Sequence, residues 1–324
     1  MADEFNFTRL GQANLSGDAA ALFRDTLIPE ILTQFDAKRV MKNYVRTKTV
    51  KNAKSATFPV LGTTSAKYVT VGDSLLGNQS IAHNEITINL DPFLVSDILI
   101  HDLDVKLQAY DDRAEIAAEM AKALANTEDK QLLQVGVLAA RAGGTVQGRA
   151  GGTVLKAGST VKTDAATLAA AIYTAGVELD EKNVDEEGRY CFVKPLQYAM
   201  LAQYEDIKNH DIGSGSYSEG TTGKLNNIQI IKTNHLPTTN IEQSADVAQP
   251  NNIYYGDFTN TAALVMTKQA IGTVSRQGLI VEPKWILERL SHLLTARILQ
   301  GHGILRPECA VEISAAAATS GSGS

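Results

Sequence analysis

Only two cysteines occur in 324 residues, Cys191 and Cys309, far apart and outside any CxxC spacing. That leaves neither a disulfide framework nor a zinc-ligating cluster to read, and a reducing compartment fits best. Aromatic residues make up 6% of the chain and do not interleave with its basic residues, which argues against a stacking platform for single-stranded nucleic acid. Thirty Lys and Arg stand against 36 Asp and Glu, a formal net charge of −6, so the chain does not coat nucleic acid through overall basicity. Long apolar runs are missing too. The stretch from Leu168 to Val177 falls well short of the roughly 20 residues that span a bilayer, and no membrane anchor is expected. The first residues carry Asp3, Glu4 and Arg9 without an apolar block behind them, so no secretory signal is read and a cytosolic start is expected.

Catalytic signatures are equally scarce. The six histidines never fall in HExxH spacing, and His101 with Asp102 and Asp104 reads as a polar strand-to-helix turn rather than a metal site. Gly220-Thr221-Thr222-Gly223-Lys224 has Ser218 where a phosphate loop needs its first glycine, and Leu225 where it needs a hydroxyl for Mg²⁺. No Gly-x-Ser-x-Gly elbow occurs, and both thiols read as buried and inert. The acid pairs Asp111-Asp112 and Glu186-Glu187 adjoin helix ends or turns. No catalytic, cofactor-binding or metal-ligating residue is assigned.

What is present is a folded chain, 44% hydrophobic and 20% charged, long enough for one large or two moderate domains. Leu22, Leu27, Ile28, Ile31 and Phe35 share helical faces behind Ser16 or Asp18 as cap, with Pro29 breaking or restarting the helix. Lys38, Arg39, Lys42, Arg46, Lys48, Lys51 and Lys54 then follow with no acidic residue among them. This basic run reads as a solvated or subunit-facing element, or as a contact to DNA or an acidic neighbour. Residues 111–141 carry Ile116, Met120, Leu124, Leu132 and Val135 on one stripe, which predicts a helix near 45 Å long, a spine at ~1.5 Å per residue. Gly143, Gly144, Gly148, Gly151, Gly152 and Gly158 punctuate the next strip and read as a domain hinge. Thr163 or Asp164 caps a second helix, Arg189–Val193 is a buried strand, and Pro195 opens a third helix. Residues 209–224 read as a mobile Gly/Ser loop, residues beyond 252 as strand-rich, and 315–324 as a flexible tail.

The run Ser55-Ala56-Thr57-Phe58-Pro59-Val60-Leu61-Gly62 is the most informative one. Pro59 lacks the N–H a central strand needs, which puts the segment at a sheet edge or in a projecting arm. Residues 55–92, closing in the alternating Glu85–Leu90, read as a long two-stranded loop that must lie on some other surface. The run resembles one in the major capsid proteins of T-seven-like podoviruses. Asn234-His235-Leu236, Ala270-Ile271-Gly272-Thr273-Val274 and Gly301-His302-Gly303-Ile304-Leu305-Arg306-Pro307-Glu308 are similar to stretches found there in the same order.

The resemblance, spanning roughly residues 20–314, implies an α+β chain of the Hong Kong 97 type. Its parts would be an N-terminal arm (1–54), an extended loop (55–92), a peripheral domain with the spine helix (93–163 and 251–314) and an axial domain (164–250). Leu290 to Leu299, helix-like in composition, becomes part of a long strand system on the same ground. The implied function is a shell protein of the virion, assembled in the host cytoplasm. It would form pentamers and hexamers with itself, work with scaffolding and portal proteins, and touch packaged double-stranded DNA only weakly. Phe58, Pro59, Val60, Leu61 and Tyr68 are expected to anchor the loop on a neighbouring copy, the alternative being that they pack within their own chain. Arg306 is expected to pair with a carboxylate, either of an adjacent chain or of its own domain. Alternatives are a cargo compartment of encapsulin type and, from another class, a soluble α/β enzyme.

Overall fold

The computed structural model of the chain describes residues 31, 34–35, 39–66, 68–72, 80–101, 113–204, 224–243 and 250–316. In chain order these form β1 (Arg46–Thr49), β2 (Ser55–Leu61), β3 (His83–Asn89), β4 (Leu94–His101), α1 (Arg113–Arg141), β5 (Thr153–Lys156), α2 (Ala165–Glu181), β6 (Arg189–Val193) and α3 (Pro195–Gln203). Then come β7 (Lys224–Leu225), β8 (Ile228–Lys232), β9 (Asn240–Ile241), β10 (Gly256–Asp257), β11 (Thr261–Thr267), β12 (Ile271–Ile286), β13 (Ser291–Ile304) and β14 (Ala310–Ser314). They sort into two compact units. The first takes the described residues up to Val40, Asp91–Asp129 and Ser275–Gln300; the second takes Met41–Leu90, Lys130–Val274 and the chain from Gly301.

The second unit is organised by a six-stranded sheet in the order β5-β14-β11-β6-β8-β7. β11 runs antiparallel to both β14 and β6, while β5 joins β14 and β8 joins β6 in parallel. Every residue of β11 is buried, as befits a central strand covered on both faces. The period-two alternation of side chains sorts the sheet into two cores. Cys191, Val193, Ile228, Ala263, Val265, Val311 and Ile313 pack with Leu168, Ile172, Ala175 and Leu179 of α2. Phe192, Leu264, Met266 and Ala310 pack with Leu132, Leu133, Val135 and Val137 of α1. Gly136 permits that second contact, because a Cβ there would stand 2.6 Å from the Leu264 side chain. Asp164 caps α2 as expected, its carboxylate accepting from the Thr167 N–H at 3.0 Å. β7 and β8 turn through Asn226 and Asn227, both with positive φ, the backbone that a two-residue hairpin requires.

In the first unit, β12, β13 and β4 are neighbours in that order, with Ser291 to Ile298 paired against His101 to Leu94. Ile116, Met120 and Leu124 of α1 share a core with Ile31, Phe35, Ile100, Val281, Leu294 and Ile298. The predicted spine helix is therefore present over 29 residues, with its apolar stripe buried. Two acids in the middle of it, Glu128 and Asp129, are also buried. Glu128 pairs with Arg39, and Asp129 accepts from the Val40 N–H at 2.9 Å, so helix acids fasten the incoming chain.

Three sequence expectations change. Residues 261–267 and 310–314, assigned with 93–163 to a peripheral domain, instead complete the sheet of β6 and β8 from the expected axial segment. Hydrogen-bonded ladders, invisible to a boundary drawn along the chain, decide this. Residues 1–54 and 93–163 are likewise divided, near Val40 and Asp129. The Gly-rich strip is no boundary between the two units, since both its ends belong to the second unit, and Gly144, Gly148, Gly151 and Gly152 within it are closely packed. A Cβ on Gly152 would sit 2.4 Å from the carbonyl oxygens of Ala139 and Ala140. The expected helix near residue 20, the loop at 209–223 and the tail from 317 lie outside the described residues.

β2 and β3 form a two-stranded hairpin, with Phe58 opposite Ile86 and Ala56 opposite Ile88. Its inner face is held by the second unit: Ala56, Phe58, Ile88 and Leu90 cluster with Val274 and Leu305. The closing motif is what lets β3 lie so close. A Cβ on Gly301 would stand 1.9 Å from the Asn89 carbonyl oxygen, and one on Gly303 would stand 2.8 Å from Ile88 Cγ1. Asn251 and Asn252 add side-chain donors to the Leu90 and Asn89 carbonyls at 2.5 and 2.7 Å. Gly301→Ala forces backbone apart, whereas Gly303→Ala meets a side chain that can turn away. Both should destabilise by about 1–3 kcal/mol, Gly301→Ala more, as read by urea denaturation of the unassembled chain. Equal stability of Gly301→Ala and the parent would contradict this seating.

Candidate assembly surface

The hairpin has a bound root and a free end. Along β2, Ala56, Phe58 and Val60 point inward and are buried, while Thr57, Pro59 and Leu61 face outward. Among the described residues β2 pairs only with β3, so the missing N–H of Pro59 costs no ladder bond and the edge placement expected from it holds. The cations of Arg46 and Lys48 stand 6.0 and 5.2 Å from the centre of the Phe58 ring and help cover it.

Where β2 ends, polar contacts replace apolar ones. The Gly62 N–H donates to the Ala82 carbonyl at 2.8 Å, closing the strand pair. Asn84 Nδ2 donates to the Thr145 carbonyl at 2.7 Å, and Thr63 Oγ1 donates to the Gly148 carbonyl at 3.1 Å. Arg149 Nε donates to the Leu61 carbonyl at 2.6 Å. Gly62 fits this seat because a Cβ would meet the Gln147 carbonyl oxygen at 2.7 Å.

Past the seat the chain carries Tyr68, Val69, Val71 and Ile81, all exposed, and Leu61 joins them at the exit. Tyr68 and Val71 are fully exposed. Scattered apolar residues on a surface are ordinary, whereas this run of large ones beyond a fixed root leaves apolar surface that nothing among the described residues covers.

The five anchor residues of the sequence reading therefore divide. Phe58 and Val60 are spent on the chain's own core and have no surface left for a neighbour; Pro59, Leu61 and Tyr68 face outward. Arg306 is engaged within its own unit: Nε donates to Glu308 Oε1 at 2.9 Å and Nη1 donates to Gln269. Of its two expected pairings, the intradomain one is made. The basic run divides in the same way. Arg39 is turned inward onto Glu128, with its guanidinium 4.8 Å from the Phe35 ring centre, whereas Lys42, Arg46, Lys48, Lys51 and Lys54 are exposed. Lys48 also donates to the Thr57 carbonyl at 2.9 Å. Lys38 lies outside the described residues.

Two buried polar side chains of the second unit are paired. Glu312, fully buried, takes both oxygens to Arg141, at 2.6 and 2.7 Å, and accepts from Thr261 Oγ1 at 2.6 Å. His302 Nδ1 lies 2.9 Å from Thr273 Oγ1, and the His302 backbone N–H donates to the Tyr254 hydroxyl at 3.0 Å. Among the described residues no cluster of His, Cys, Asp and Glu could hold a metal ion, and no helix is long and apolar enough to cross a membrane. Burial pushes the Cys191 thiol up to about 12 and raises that of Cys309 as well.

The family of Gp10A-like major capsid proteins matches residues 57–314. The chain belongs to that family. It is 27% identical to the major capsid protein of Escherichia phage T7 over 334 aligned positions, covering 91% of this chain and 92% of the relative. Among solved structures it is similar to the capsid of cyanophage P-SCSP1u, with a TM-score of 0.76 and 35% identity over 85% of this chain and 87% of that one. The mature capsid of bacteriophage PhiM1 shares the fold, with a TM-score of 0.71 at 17% identity over 85% and 86% of the two chains. The matched residues begin within β2 and close with β14, so all of β3 and the residues that seat it, from Thr145 to Leu305, lie inside the family's span. This is a tailed-phage capsid protein of α+β fold, a component of the virion shell.

Root and free end should behave differently in unassembled subunits. Phe58→Ala should cost about 3–5 kcal/mol in chemical denaturation, while Tyr68→Ala should stay within about 0.5 kcal/mol of the parent. A destabilised Tyr68→Ala would mean that Tyr68 packs within its own chain. Neither thiol should react with iodoacetamide at pH 8 while the chain is folded; rapid labelling of native protein would contradict their burial.

Proposed function

We propose that this capsid protein closes into pentamers and hexamers of an icosahedral head around double-stranded DNA, with the free end of its hairpin seated on a neighbouring copy. The observation that carries this is the exposed set Leu61, Tyr68, Val69, Val71 and Ile81 beyond a root fixed to its own chain. Burying side chains of this size gains about 1.5–3 kcal/mol each before the cost of ordering the loop. Ring contacts are heterologous, so an arm reaching from each copy to the next closes the ring without a second kind of subunit. The α1 helix with β12, β13 and β4 serves as the peripheral domain in this reading, and the six-stranded sheet with α2 and α3 as the axial one.

The exposed Lys42, Arg46, Lys48, Lys51 and Lys54 favour a weak contact with packaged DNA on a wall whose overall charge is −6. Scaffolding and portal proteins are the expected assembly partners. An encapsulin-type compartment would use the same fold but enclose protein, and the nucleic-acid content of purified shells separates the two. No catalytic step is assigned.

Electron microscopy of the purified chain, alone and with a scaffolding protein, tests the reading. Closed shells are expected from the parent, and a large loss of shell yield from Tyr68→Ala combined with Val71→Ala, with unchanged subunit stability. Full yield from that double variant would overturn the neighbour contact.

A further inference from the structure

Arg149 and Glu308 stand out because they join two parts of the chain that the seat alone does not. The Arg149 guanidinium holds the Leu61 carbonyl through Nε at 2.6 Å and Glu308 Oε1 through Nη1 at 3.1 Å. Glu308 is buried, and the same oxygen accepts from Arg306 Nε at 2.9 Å. Its other oxygen, Oε2, has no hydrogen-bond partner among the described residues. This carboxylate is thus committed to two arginines, only one of which touches the hairpin.

From this geometry we infer that Glu308 is a positioning residue which, through Arg149, sets the direction in which the hairpin leaves the core. Apolar packing holds β3 at Ile88 and Leu90, but the far end of β3 has little of it: His83, Asn84 and Glu85 are exposed. With Val60 of β2 as the one buried apolar side chain at that end, packing alone resists pivoting of the strand pair there only weakly. The second point of attachment is polar and consists of Arg149, Asn84 and Thr63 on the strip from Thr145 to Arg149. That strip is in turn held from the C-terminal side by Glu308.

The strip is anchored further along by Lys182, whose Nζ donates to the Gly151 carbonyl at 2.8 Å and to Thr153 Oγ1. The guanidinium reaches the carbonyl and the carboxylate from two different nitrogens in one rigid plane, and a lysine at 149, with a single nitrogen on a flexible stem, does not keep that fixed geometry. The consequence for assembly rests on the proposed neighbour contact: a hairpin free to pivot presents Tyr68 and Val71 in many directions rather than one.

The test measures hairpin direction directly. Nitroxides placed by Thr87→Cys on exposed β3 and Gln229→Cys on exposed β8 report one distance, because both native thiols are buried and do not take label. In unassembled parent protein the distance distribution should be narrow. Glu308→Gln and Arg149→Lys should each shift or broaden it, whereas Arg306→Lys, which touches Glu308 but not the hairpin, should leave it in place. If Glu308→Gln does not fold, Arg149→Lys carries the test, since it keeps the Glu308 pair with Arg306. An unchanged distribution in Arg149→Lys overturns the inference, as does an equal broadening in Arg306→Lys. Failure of the neighbour contact is read separately, as full shell yield from the Tyr68→Ala and Val71→Ala double variant with the label distance unaltered.

Discussion

A Cβ on Gly301 would stand 1.9 Å from the carbonyl oxygen of Asn89, and the arrangement of the hairpin follows from that one close approach. Without side chains at Gly301 and Gly303, β13 lets β3 settle on it, and Ile88 fills the space between Gly272, Gly303 and Leu305. Because Ile88 is buried there, its partner strand must turn Ala56, Phe58 and Val60 to the same side. A slip of one residue would bury Thr57, Pro59 and Leu61 instead. The register of the hairpin, and with it the set of side chains left facing outward, is thus fixed by a packing constraint more than two hundred residues away in sequence.

That constraint separates two tasks along a single hairpin. The inward side chains of the root, Ala56, Phe58 and Val60, contribute to the stability of the subunit and have no surface left for another copy. The free end, as far as its described residues go, carries exposed apolar side chains. Between them, Arg149 and Glu308 join the exit of β2 to the C-terminal stretch through charge-assisted hydrogen bonds, which are directional where apolar contacts are not. In the proposed assembly, where one chain makes more than one kind of ring, this separation lets the projecting end adapt to its neighbour without unsettling the core.

Much of this was legible locally. The stripe from Ile116 to Val135 marked the long helix, Asp164 marked the start of α2, and Pro59 marked an edge strand, because each signal depends on neighbours within a turn or a strand. Of Leu290 to Leu299, helix-like in composition, all but the turn residue Leu290 is strand, because pairing with β4 along Ser291–Ile298 outweighs a weak local preference. Long-range matches were not legible. Nothing near Glu128 or Asp129 says that they receive Arg39 and Val40, and nothing near Arg149 says that it holds Leu61. The Gly-rich strip looked like a hinge because close packing against distant backbone and freedom of rotation both call for glycine. The domain boundaries failed for the same reason: β11 and β14 join a sheet begun elsewhere in the chain, and only the ladder reveals it.

The division of the hairpin into a root bound by its own chain and an end bound by its neighbour is the centre of this account. Hydrogen exchange read by mass spectrometry on peptides covering 55–62 and 64–82, in unassembled subunits and in closed shells, tests it most directly. The account predicts that the first segment is protected in both states and that the second gains protection only in shells. A second segment that exchanges equally fast in both, or a first segment protected only after assembly, would contradict it.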